Sequence, residues 1–373
     1  MINFEKLFSG IYKDTTVLVT GHTGFKGSWL SLWLIQMGAK VIGYSKDIPT
    51  EPNHFSLLKN NGYYDNLIDV RGDIRDKENL EKVISNYKPD IVFHLAAQPL
   101  VRYSYENPVE TYETNVLGTL QVLEACKKSK IKAIVNITSD KCYENKEWVW
   151  GYRENDPMGG YDLYSSSKGC AELLTASYRN SFFNSNDYKV SHYTLLASCR
   201  AGNVIGGGDW AKDRLICDIM VAASKHEKVK IRSPYATRPW QHVLEPLSGY
   251  LMIGQKLLEE KKEFGDAWNF GPGGEGHITV VEVLKNIKKY WASIEYEIVN
   301  AEKQYHEANL LKLDCSKAHT QLHWKNVWNN ETTFEKTAYW YKQYYENNTL
   351  LSLEDLIAYV DDAKMKQIEW ANV

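Results

Sequence analysis

The chain of 373 residues and 43.0 kDa fits one large or two medium-sized domains, and its 43% hydrophobic and 24% charged residues exclude wholesale disorder. The formal net charge of −3 gives no basic excess, so we expect no nucleic-acid partner, and no apolar run is long enough to predict a membrane span or a signal peptide. Six scattered cysteines without a C-x-x-C pair predict neither a metal site nor a disulfide framework, as in the reducing cytoplasm.

The first half of the chain alternates short apolar runs with amphipathic segments. The predicted strands cover residues 17–20, 41–45, 67–70, 90–96 and 132–138. The predicted helices follow the first strand, begin at Asp76, and cover residues 109–128 and 162–182. Strands and helices that alternate over 200 residues predict a Rossmann-like α/β fold with a doubly wound parallel sheet.

This alternation becomes less regular after about residue 198. Helices are predicted over residues 214–225 and 243–260, and short strands over residues 229–231 and 267–270. Thr279 and Glu282 form a capping box before a further helix that reaches Trp291. We therefore expect a Rossmann domain over residues 1–197, joined by returning segments near 240–271. Residues 198–373 are expected to form a smaller, mixed α/β lobe interwoven with it.

A glycine-rich loop lies between the first strand and its helix. It reads Gly21-His22-Thr23-Gly24-Phe25-Lys26-Gly27, which is G-x-x-G-x-x-G. Glycines at such a junction let the backbone approach a pyrophosphate, whose charge is favoured at a helix N-terminus. A simple tight turn is the alternative, but the surrounding strand–helix–strand unit favours dinucleotide binding.

The end of the second strand leaves the identity of the dinucleotide open. Ser45 occupies the strand end, and Asp47 follows it. An acid there would bind a ribose 2′-hydroxyl and favour NAD, whereas Lys46 could accept the 2′-phosphate of NADP. Asp47 is equally well explained as a solvated loop charge.

The fourth strand ends in Leu95-Ala96-Ala97. Small residues at the carboxyl edge of a parallel sheet allow a cofactor to approach the backbone closely, although they also suit a packed core. Thr138 ends the fifth strand at the same edge. We therefore include all four residues among the candidate cofactor contacts.

Tyr164 and Lys168 form a Y-x-x-x-K motif on a predicted helix. Their i, i+4 spacing places the phenol and the ammonium on one face, where the ammonium and a positive nicotinamide together are expected to lower the pKa of the phenol toward neutrality. Such a tyrosine could remove a hydroxyl proton while hydride leaves the same carbon for NAD. A surface pair is the alternative for an isolated motif, but the position after the fifth strand favours a site.

Together these motifs resemble the extended short-chain dehydrogenase/reductase superfamily, and within it the NAD-dependent sugar-nucleotide 4,6-dehydratases of the branch that acts on CDP-glucose. The segments that carry the resemblance are residues 21–34, 136–156, 159–173, 200–210, 238–251 and 306–318. The resemblance runs nearly end to end and implies an NAD-dependent lyase. It implies these cofactor contacts: Gly21, Thr23, Gly24, Phe25, Lys26, Gly27, Ser45, Asp73, Ile74, Leu95, Ala96, Ala97, Thr138, Tyr164 and Lys168.

The resemblance also implies a reaction and its catalytic residues. CDP-D-glucose would become CDP-4-dehydro-6-deoxy-D-glucose and water, with Tyr164 taking the C4 hydroxyl proton and Ser139 polarising that hydroxyl. Asp140 maps onto the acid that protonates the departing C6 hydroxyl. Lys141 stands where related dTDP-glucose dehydratases have a glutamate, and it would need a lowered pKa to remove the C5 proton as a base.

Substrate contacts and assembly are carried over from the family as well. Asn203, Arg214, Arg238 and His242 are expected to hold the sugar nucleotide, although each arginine could instead form a surface ion pair. The resemblance implies a homodimer or homotetramer that pairs through the helices at 109–128 and 162–182. It also implies cytoplasmic synthesis of 3,6-dideoxyhexose precursors for lipopolysaccharide O-antigen.

Two other functions are compatible with parts of the sequence. A sugar-nucleotide 4-epimerase would use Tyr164, Lys168 and Ser139 but would not need an acid–base pair aimed at C5 and C6. A dinucleotide-binding regulator without catalysis would need neither Tyr164 nor Lys168. The presence of Asp140 and Lys141 favours the dehydratase.

Overall fold

The computed structural model describes residues 2–231, 233–273, 277–299 and 310–372, without the side chains of Arg238 and His277. Its strands are β1 Thr16–Thr20, β2 Lys40–Ser45, β3 Ile68–Arg71, β4 Ile91–His94, β5 Ala133–Ile137, β6 Leu195–Ala201, β7 Val204–Ile205, β8 Lys228–Ile231, β9 Thr237–Pro239, β10 Gln241–His242, β11 Ala267–Phe270, β12 His277–Thr279 and β13 Glu295–Ile298. Its α-helices are α1 Phe25–Gln36, α2 His54–Asn60, α3 Lys77–Tyr87, α4 Val101–Glu106, α5 Pro108–Tyr112, α6 Thr119–Ser129, α7 Leu163–Phe182, α8 Leu215–Ser224, α9 Leu244–Leu258, α10 Val280–Lys288, α11 Ser316–Gln321, α12 Asn330–Asn347 and α13 Ser352–Met365.

A seven-stranded sheet forms the centre of the molecule. Its strand order is β11-β6-β5-β4-β1-β2-β3, and every neighbouring pair is parallel. All residues of β4, β5, β6 and β11 are buried, because helices cover both faces of a doubly wound sheet. The predicted Rossmann-like fold is confirmed, and the order reverses between β1 and β4, where such sheets bind ligands.

Two hydrophobic clusters cover the two faces of this sheet. On one face, α1 and α9 pack against the strands, with Trp29, Trp33 and Leu247 fully buried. On the other face lie α3 and α6, represented by Ile84 and Val122. The strand β11 returns to extend the sheet beside β6, so a segment from the second half of the chain completes the layer that carries the glycine loop.

The second half of the chain also builds small sheets of its own. The pairs β7–β10, β8–β13 and β9–β12 each form a two-stranded sheet. The predicted capping box is confirmed, because Glu282 donates its backbone N–H to Thr279 and its carboxylate accepts the Thr279 N–H. A third cluster, including Trp291 and Trp340, forms the core of this part. Among the described residues, no helix is both long and apolar enough to span a membrane.

The predicted long helix over residues 109–128 is confirmed, but its middle is not α-helical. The chain forms α5, then a π-helical turn over Glu113–Gly118, and then α6. Within this turn, Asn115 accepts the Gln98 backbone N–H at 2.8 Å and donates to Ser167 Oγ at 2.8 Å. A π turn inserts one residue, which is common beside functional sites. Here it places an amide between the end of β4 and α7.

The helix α2 was not predicted, and its first residue, His54, is buried. His54 Nδ1 lies 2.7 Å from Ser28 Oγ on α1, and Nε2 lies 2.8 Å from Ser352 Oγ on α13. The ring also stacks on Trp29, with centroids 4.9 Å apart. Burial lowers the pKa of His54 from 6.5 to about 3, so the folded protein holds this ring neutral.

Replacing His54 by glutamine should make the acid dependence of stability less steep. Between pH 6.5 and about 3 the unfolded chain binds a proton at His54 that the folded chain does not, so stability falls as the pH falls. Removing this group should reduce the slope of unfolding free energy against pH by up to about 1.4 kcal/mol per pH unit. Urea unfolding at several pH values measures this slope. The exposed His226→Asn variant controls for the loss of one histidine from the surface, and an unchanged slope in His54→Gln would contradict the assignment.

Candidate active site

One large cavity lies at the carboxyl ends of the central strands, with a volume of about 1230 Å³. Pockets for single drug-sized ligands are usually about 300–1,000 Å³, so this cavity has room for two nucleotides. The predicted site residues that line it are Gly21, Thr23, Gly24, Phe25, Lys26, Gly27, Ser45, Asp73, Ile74, Leu95, Ala96, Ala97, Thr138, Ser139, Asp140, Lys141, Tyr164, Lys168, Asn203 and Arg214.

The glycine loop is packed so closely that it has no room for side chains. Gly21 has a φ of +78°, and a Cβ there would lie 2.7 Å from the backbone nitrogen of Ala96. A Cβ on Gly27 would lie 2.1 Å from the Gly21 carbonyl oxygen. Gly24 precedes α1 without a side-chain cap, so the first N–H groups of the helix remain available to an anion. This geometry fits the diphosphate of a dinucleotide.

Replacing Gly27 by alanine should abolish tight dinucleotide binding and destabilise the fold. The new methyl group would overlap the Gly21 carbonyl, which forces the loop and α1 apart. We expect a loss of at least about 2 kcal/mol in unfolding free energy, together with weaker NAD binding in titration calorimetry. Gly273→Ala is the matched control, because its Cβ would meet only Asn326 Oδ1 at 4.0 Å. Wild-type stability in Gly27→Ala would contradict this packing argument.

The loop is tied to the end of β2. The Thr23 backbone N–H donates to Ser45 Oγ at 3.4 Å, and Thr23 Oγ1 donates to the carbonyl of Asp47 at 2.7 Å. Ser45 Oγ also lies 2.9 Å from His22 Nδ1. Ser45 and Asp47 both line the cavity, so the predicted ribose-contact region is next to the glycine loop.

Charged side chains surround the next part of the cavity, at the end of β3. Asp73 forms a salt bridge with Arg75 at 2.7 Å, and Lys46 Nζ lies 4.0 Å from Asp73 and 3.8 Å from Glu110. Ile74 is buried, yet it reaches the cavity. Because Asp73 and Glu110 already balance the charge of Lys46, this lysine is not a free cation for a 2′-phosphate.

The residues after β5 form a short 3₁₀ turn at the cavity wall. Ser139 caps this turn by accepting the Lys141 backbone N–H at 3.3 Å, and its hydroxyl donates to Asp140 Oδ1 at 3.0 Å. Asp140 is buried, and this burial raises the pKa of its carboxyl, although Lys141, Ser139 and Lys26 oppose the rise. A carboxyl group in this environment is suited to hold a proton.

Tyr164 and Lys168 enter the same cavity from α7. Asp162 caps the helix by accepting the Ser165 N–H at 2.9 Å, and the Tyr164 N–H donates to Ser104 Oγ at 3.2 Å. Burial raises the pKa of Tyr164 to about 12, against a hydrogen bond with Ser139 that lowers it. In the chain alone, loss of water around the phenol outweighs the lowering by Ser139 and Arg214, so the lowered pKa expected with the nicotinamide bound stays a prediction.

Two lysines that line the cavity, Lys26 and Lys168, both have lowered pKa values. Burial lowers the pKa of Lys168 to about 8, and burial together with the charges of Arg214 and Lys168 lowers that of Lys26 to about 8. Asp140 opposes the effect on Lys26. Lys26 lies in the first turn of α1, where the helix dipole disfavours a cation. The cluster is therefore short of negative charge, which an anionic ligand would supply.

The predicted substrate residues are only partly brought together. Asn203 and Arg214 line the cavity, and Arg214 Nη1 is held by Asp209 Oδ2 at 2.6 Å. The side chain of Arg238 lies outside the described part of the structure, as do residues 306–309 of the last resembling segment.

The prediction for His242 was wrong. Its side chain is fully buried, and it packs edge-on against Trp29 and Trp328 with ring centroids 6.0 and 4.8 Å away. Packing between these two indole rings keeps the imidazole in the core, so it does not reach the cavity wall. The preceding Trp240 lines the cavity.

Sequence reasoning missed a buried set of polar side chains beneath the wall. Glu172 and Arg200 form an ion pair at 2.8 Å, and both are almost fully buried. Glu172 follows Lys168 by one further helical turn, so continuing the i, i+4 pattern of the Y-x-x-x-K motif was the signal for it. Among the described residues, no group of His, Cys, Asp or Glu side chains is arranged to hold a metal ion.

Comparisons with known proteins agree with this geometry. The family described as GDP-mannose 4,6 dehydratase matches residues 18–337. A CDP-glucose 4,6-dehydratase of Salmonella typhimurium is 55% identical over 341 residues, which cover 91% of this chain and 94% of that protein.

Solved structures share the fold at lower identity. The epimerase Mth375 of Methanothermobacter thermautotrophicus has a TM-score of 0.77 and 25% identity, covering 90% of this chain and 94% of that one. A dTDP-glucose 4,6-dehydratase of Bacillus anthracis, solved in complex with NAD, has a TM-score of 0.73 and 23% identity, covering 89% and 98%. With its family matched over most of its length, this chain belongs to the sugar-nucleotide dehydratases of the GDP-mannose 4,6 dehydratase family, in the extended short-chain dehydrogenase/reductase superfamily.

Proposed function

We propose that this protein is a CDP-glucose 4,6-dehydratase that converts CDP-D-glucose into CDP-4-dehydro-6-deoxy-D-glucose and water. The observation that carries the proposal is the placement of Ser139, Asp140, Lys141, Tyr164 and Lys168 in one cavity with the glycine loop. The 55% identity to a protein of that name supports the choice of CDP-glucose. We also propose that residues 1–197 and 198–373 form two lobes that share this cleft, because Asn203 and Arg214 line it together with residues of the first half.

NAD fits the half of the cavity next to the glycine loop. The close packing at Gly21 and Gly27 leaves backbone in contact range of a diphosphate, and the acids around Lys46 disfavour the extra phosphate of NADP. Ser45, Asp73 and the residues after β4 would hold the adenosine half, and Tyr164 and Lys168 the other ribose. When bound, NAD accepts a hydride from C4 of the sugar and later returns one to C6.

The first chemical task of the chain is removal of the C4 hydroxyl proton. Tyr164 is the base, and Ser139, which shares a hydrogen bond with it, orients the same hydroxyl. A phenol with a pKa of about 12 is almost fully protonated at neutral pH. Nearby cations are therefore needed to favour the phenolate, which is the form that acts as a base. The charge of Arg214 opposes the rise in the pKa of Tyr164. The Lys168 ammonium would bind the hydroxyls of the cofactor ribose.

The second task is elimination of water across C5 and C6. Asp140 is the acid for the departing C6 hydroxyl, because burial favours its protonated form. Lys141 follows it on the same 3₁₀ turn and is the candidate base for the C5 proton. The C4 ketone makes that proton acidic, and Lys141 would have to be a neutral amine to remove it.

The sugar nucleotide occupies the remaining half of the cavity. Asn203, Arg214 and Arg238 are the proposed contacts of its diphosphate, since an arginine fork suits this group. Arg214 is already oriented by Asp209. His242 is not part of this proposal.

The deciding experiment is turnover of CDP-, UDP-, dTDP- and GDP-hexoses in parallel. We expect CDP-glucose to give a 4-keto product, which absorbs in alkali, at a higher kcat/KM than the other three. A hexose isomer without the keto signal would identify a 4-epimerase, and absence of turnover with retained NAD binding would identify a regulator. Preference for another nucleotide would contradict the substrate while leaving the reaction class in place.

We also propose a cytoplasmic homodimer or homotetramer that serves 3,6-dideoxyhexose synthesis for O-antigen. Exposed apolar side chains on adjoining helical segments support a subunit interface: Val109 is 69% exposed, Leu117 51% and Leu173 60%. All six cysteines are free thiols, as suits a reducing compartment. Sedimentation of the wild-type protein and of Leu173→Glu tests the interface, since the variant should sediment as a monomer.

A further inference from the structure

A buried ion pair joins α7 to β6 beneath the cavity wall. Glu172 Oε2 accepts hydrogen bonds from Arg200 Nη2 at 2.8 Å and from Ser198 Oγ at 2.9 Å, and Oε1 accepts one from Thr138 Oγ1. The side chain of Glu172 is 2% exposed and that of Arg200 is 4% exposed. Buried ion pairs are weak sources of net stability because both charges lose their water. The position of this pair therefore points to a role in the site above it.

The arginine is fixed on its far side. Arg200 Nη1 donates to Tyr143 Oη at 2.6 Å and to the Glu154 carbonyl at 3.0 Å, and the guanidinium lies over the Tyr143 ring at 5.0 Å. Tyr143 in turn donates to Asn269 Oδ1 at 2.8 Å. These contacts connect β6, β11 and the loop after β5, so the Glu172 carboxylate is held in one position.

Glu172 lies one helical turn beyond Lys168, which lies one turn beyond Tyr164, so the three residues follow one face of α7. Burial lowers the pKa of Lys168 to about 8, and the charge of Glu172 opposes that effect. Burial alone would raise the pKa of Glu172, but Arg200 and the hydrogen bonds from Thr138 and Ser198 hold it below its usual value. Glu172 is therefore an ionised acid one helical turn from the lysine.

Other titratable groups face the two residues from neighbouring elements. Lys168 is faced by Cys142, Lys26 and His94, and Glu172 by Arg200, Arg179, Cys142 and Cys199. Both cysteines are buried thiols whose pKa values burial raises well above the ordinary value, and His94 is held neutral by burial. Glu172 is consequently the ionised acid that acts on Lys168.

We propose that Glu172 is a positioning residue that acts through Lys168: its carboxylate, clamped by Arg200, keeps the lysine in the ammonium form used beside Tyr164. The use of that ammonium rests on the proposed function. The same carboxylate accepts a hydrogen bond from Thr138 at the end of β5. It therefore links α7, which carries Tyr164, to the chain segment that carries Ser139. The proposal predicts that removing this charge moves the titration of Lys168 as well as the activity.

The test measures the titration of Lys168 directly, by competitive acetylation with acetic anhydride and peptide mass spectrometry over the neutral and alkaline range. In the wild-type protein half-titration should occur above neutral pH, near 8. In Glu172→Gln it should fall by about 1 pH unit, the usual effect of losing one adjacent opposite charge. The alkaline limb of kcat should move down by the same amount. Glu172→Asp keeps the charge and should restore most of both values.

Ser198→Ala is the matched control, because it removes one hydrogen bond from the carboxylate but no charge. It should lower the melting temperature and leave the Lys168 titration near that of the wild type. A folded Glu172→Gln protein whose Lys168 titrates as in the wild type would overturn the proposal. If that variant does not fold, a wild-type Lys168 that is already half neutral below pH 7 would overturn it. Acetylation is measured without sugar nucleotide, so failure of CDP-glucose turnover would count against the proposed function alone.

Discussion

Replacing Tyr164 by phenylalanine should lower kcat/KM for CDP-glucose by about a thousandfold, within the range expected for loss of a general base. The substitution removes only the hydroxyl, which lies in the cavity and shares a hydrogen bond with Ser139. NAD binding should change little, because the ring and Lys168 remain in place. Steady-state kinetics and calorimetric NAD titration together measure both effects.

Tyr161→Phe is the matched control for this prediction. Tyr161 lies three residues earlier in the chain, is 78% exposed and does not line the cavity. Its substitution should leave kcat/KM within about twofold of the wild type, as surface changes usually do. If Tyr164→Phe retained more than a tenth of wild-type activity, another group would have to remove the C4 proton. Tyr143 is already committed to Arg200 and Asn269 and cannot do so.

The strand ends of this fold could be predicted because local chemistry determines them. Apolar runs that indicate buried strands are followed by glycine or polar residues that suit a binding site, such as Gly21 after β1 and Ser139 after β5. Since parallel strands end at one edge of the sheet, these residues converge without further information. The Y-x-x-x-K pair then falls on α7, whose first two turns reach that edge.

What could not be predicted depends on packing between distant parts of the chain. His242 lies on a two-residue strand, too short for alternation to reveal which face is buried. The partners of His54 are Ser28 and Ser352, which are separated from it by 26 and 298 residues. The partner of Glu172 is Arg200, on another element. No local pattern identifies such partners, although the charge and the spacing of Glu172 made it a candidate.

Replacing Asp140 by asparagine should separate the two halves of the reaction. Asparagine has nearly the same shape and can still accept the Ser139 hydrogen bond, but it cannot give a proton to the departing C6 hydroxyl. Formation of the 6-deoxy-4-keto product should therefore fall by about a hundredfold or more. Oxidation at C4 should continue, because Tyr164 and Ser139 are unchanged. The near-ultraviolet absorbance of the reduced nicotinamide should then accumulate after CDP-glucose is added, which rapid mixing can follow.

The pH dependence and a control distinguish this role from a general effect on the site. Burial raises the pKa of Asp140, so its protonated form survives above the usual carboxyl range and is lost as the pH rises through the raised value. Asp140→Asn should lack that limb in its residual rate of product formation. Asp213→Asn, a change at the cavity mouth where Asp213 pairs with Arg102 at 2.6 Å, should leave the balance between oxidation and product formation as in the wild type. Product formation by Asp140→Asn at a tenth of the wild-type rate or more would contradict the acid role, and loss of both signals would assign Asp140 to the C4 step instead.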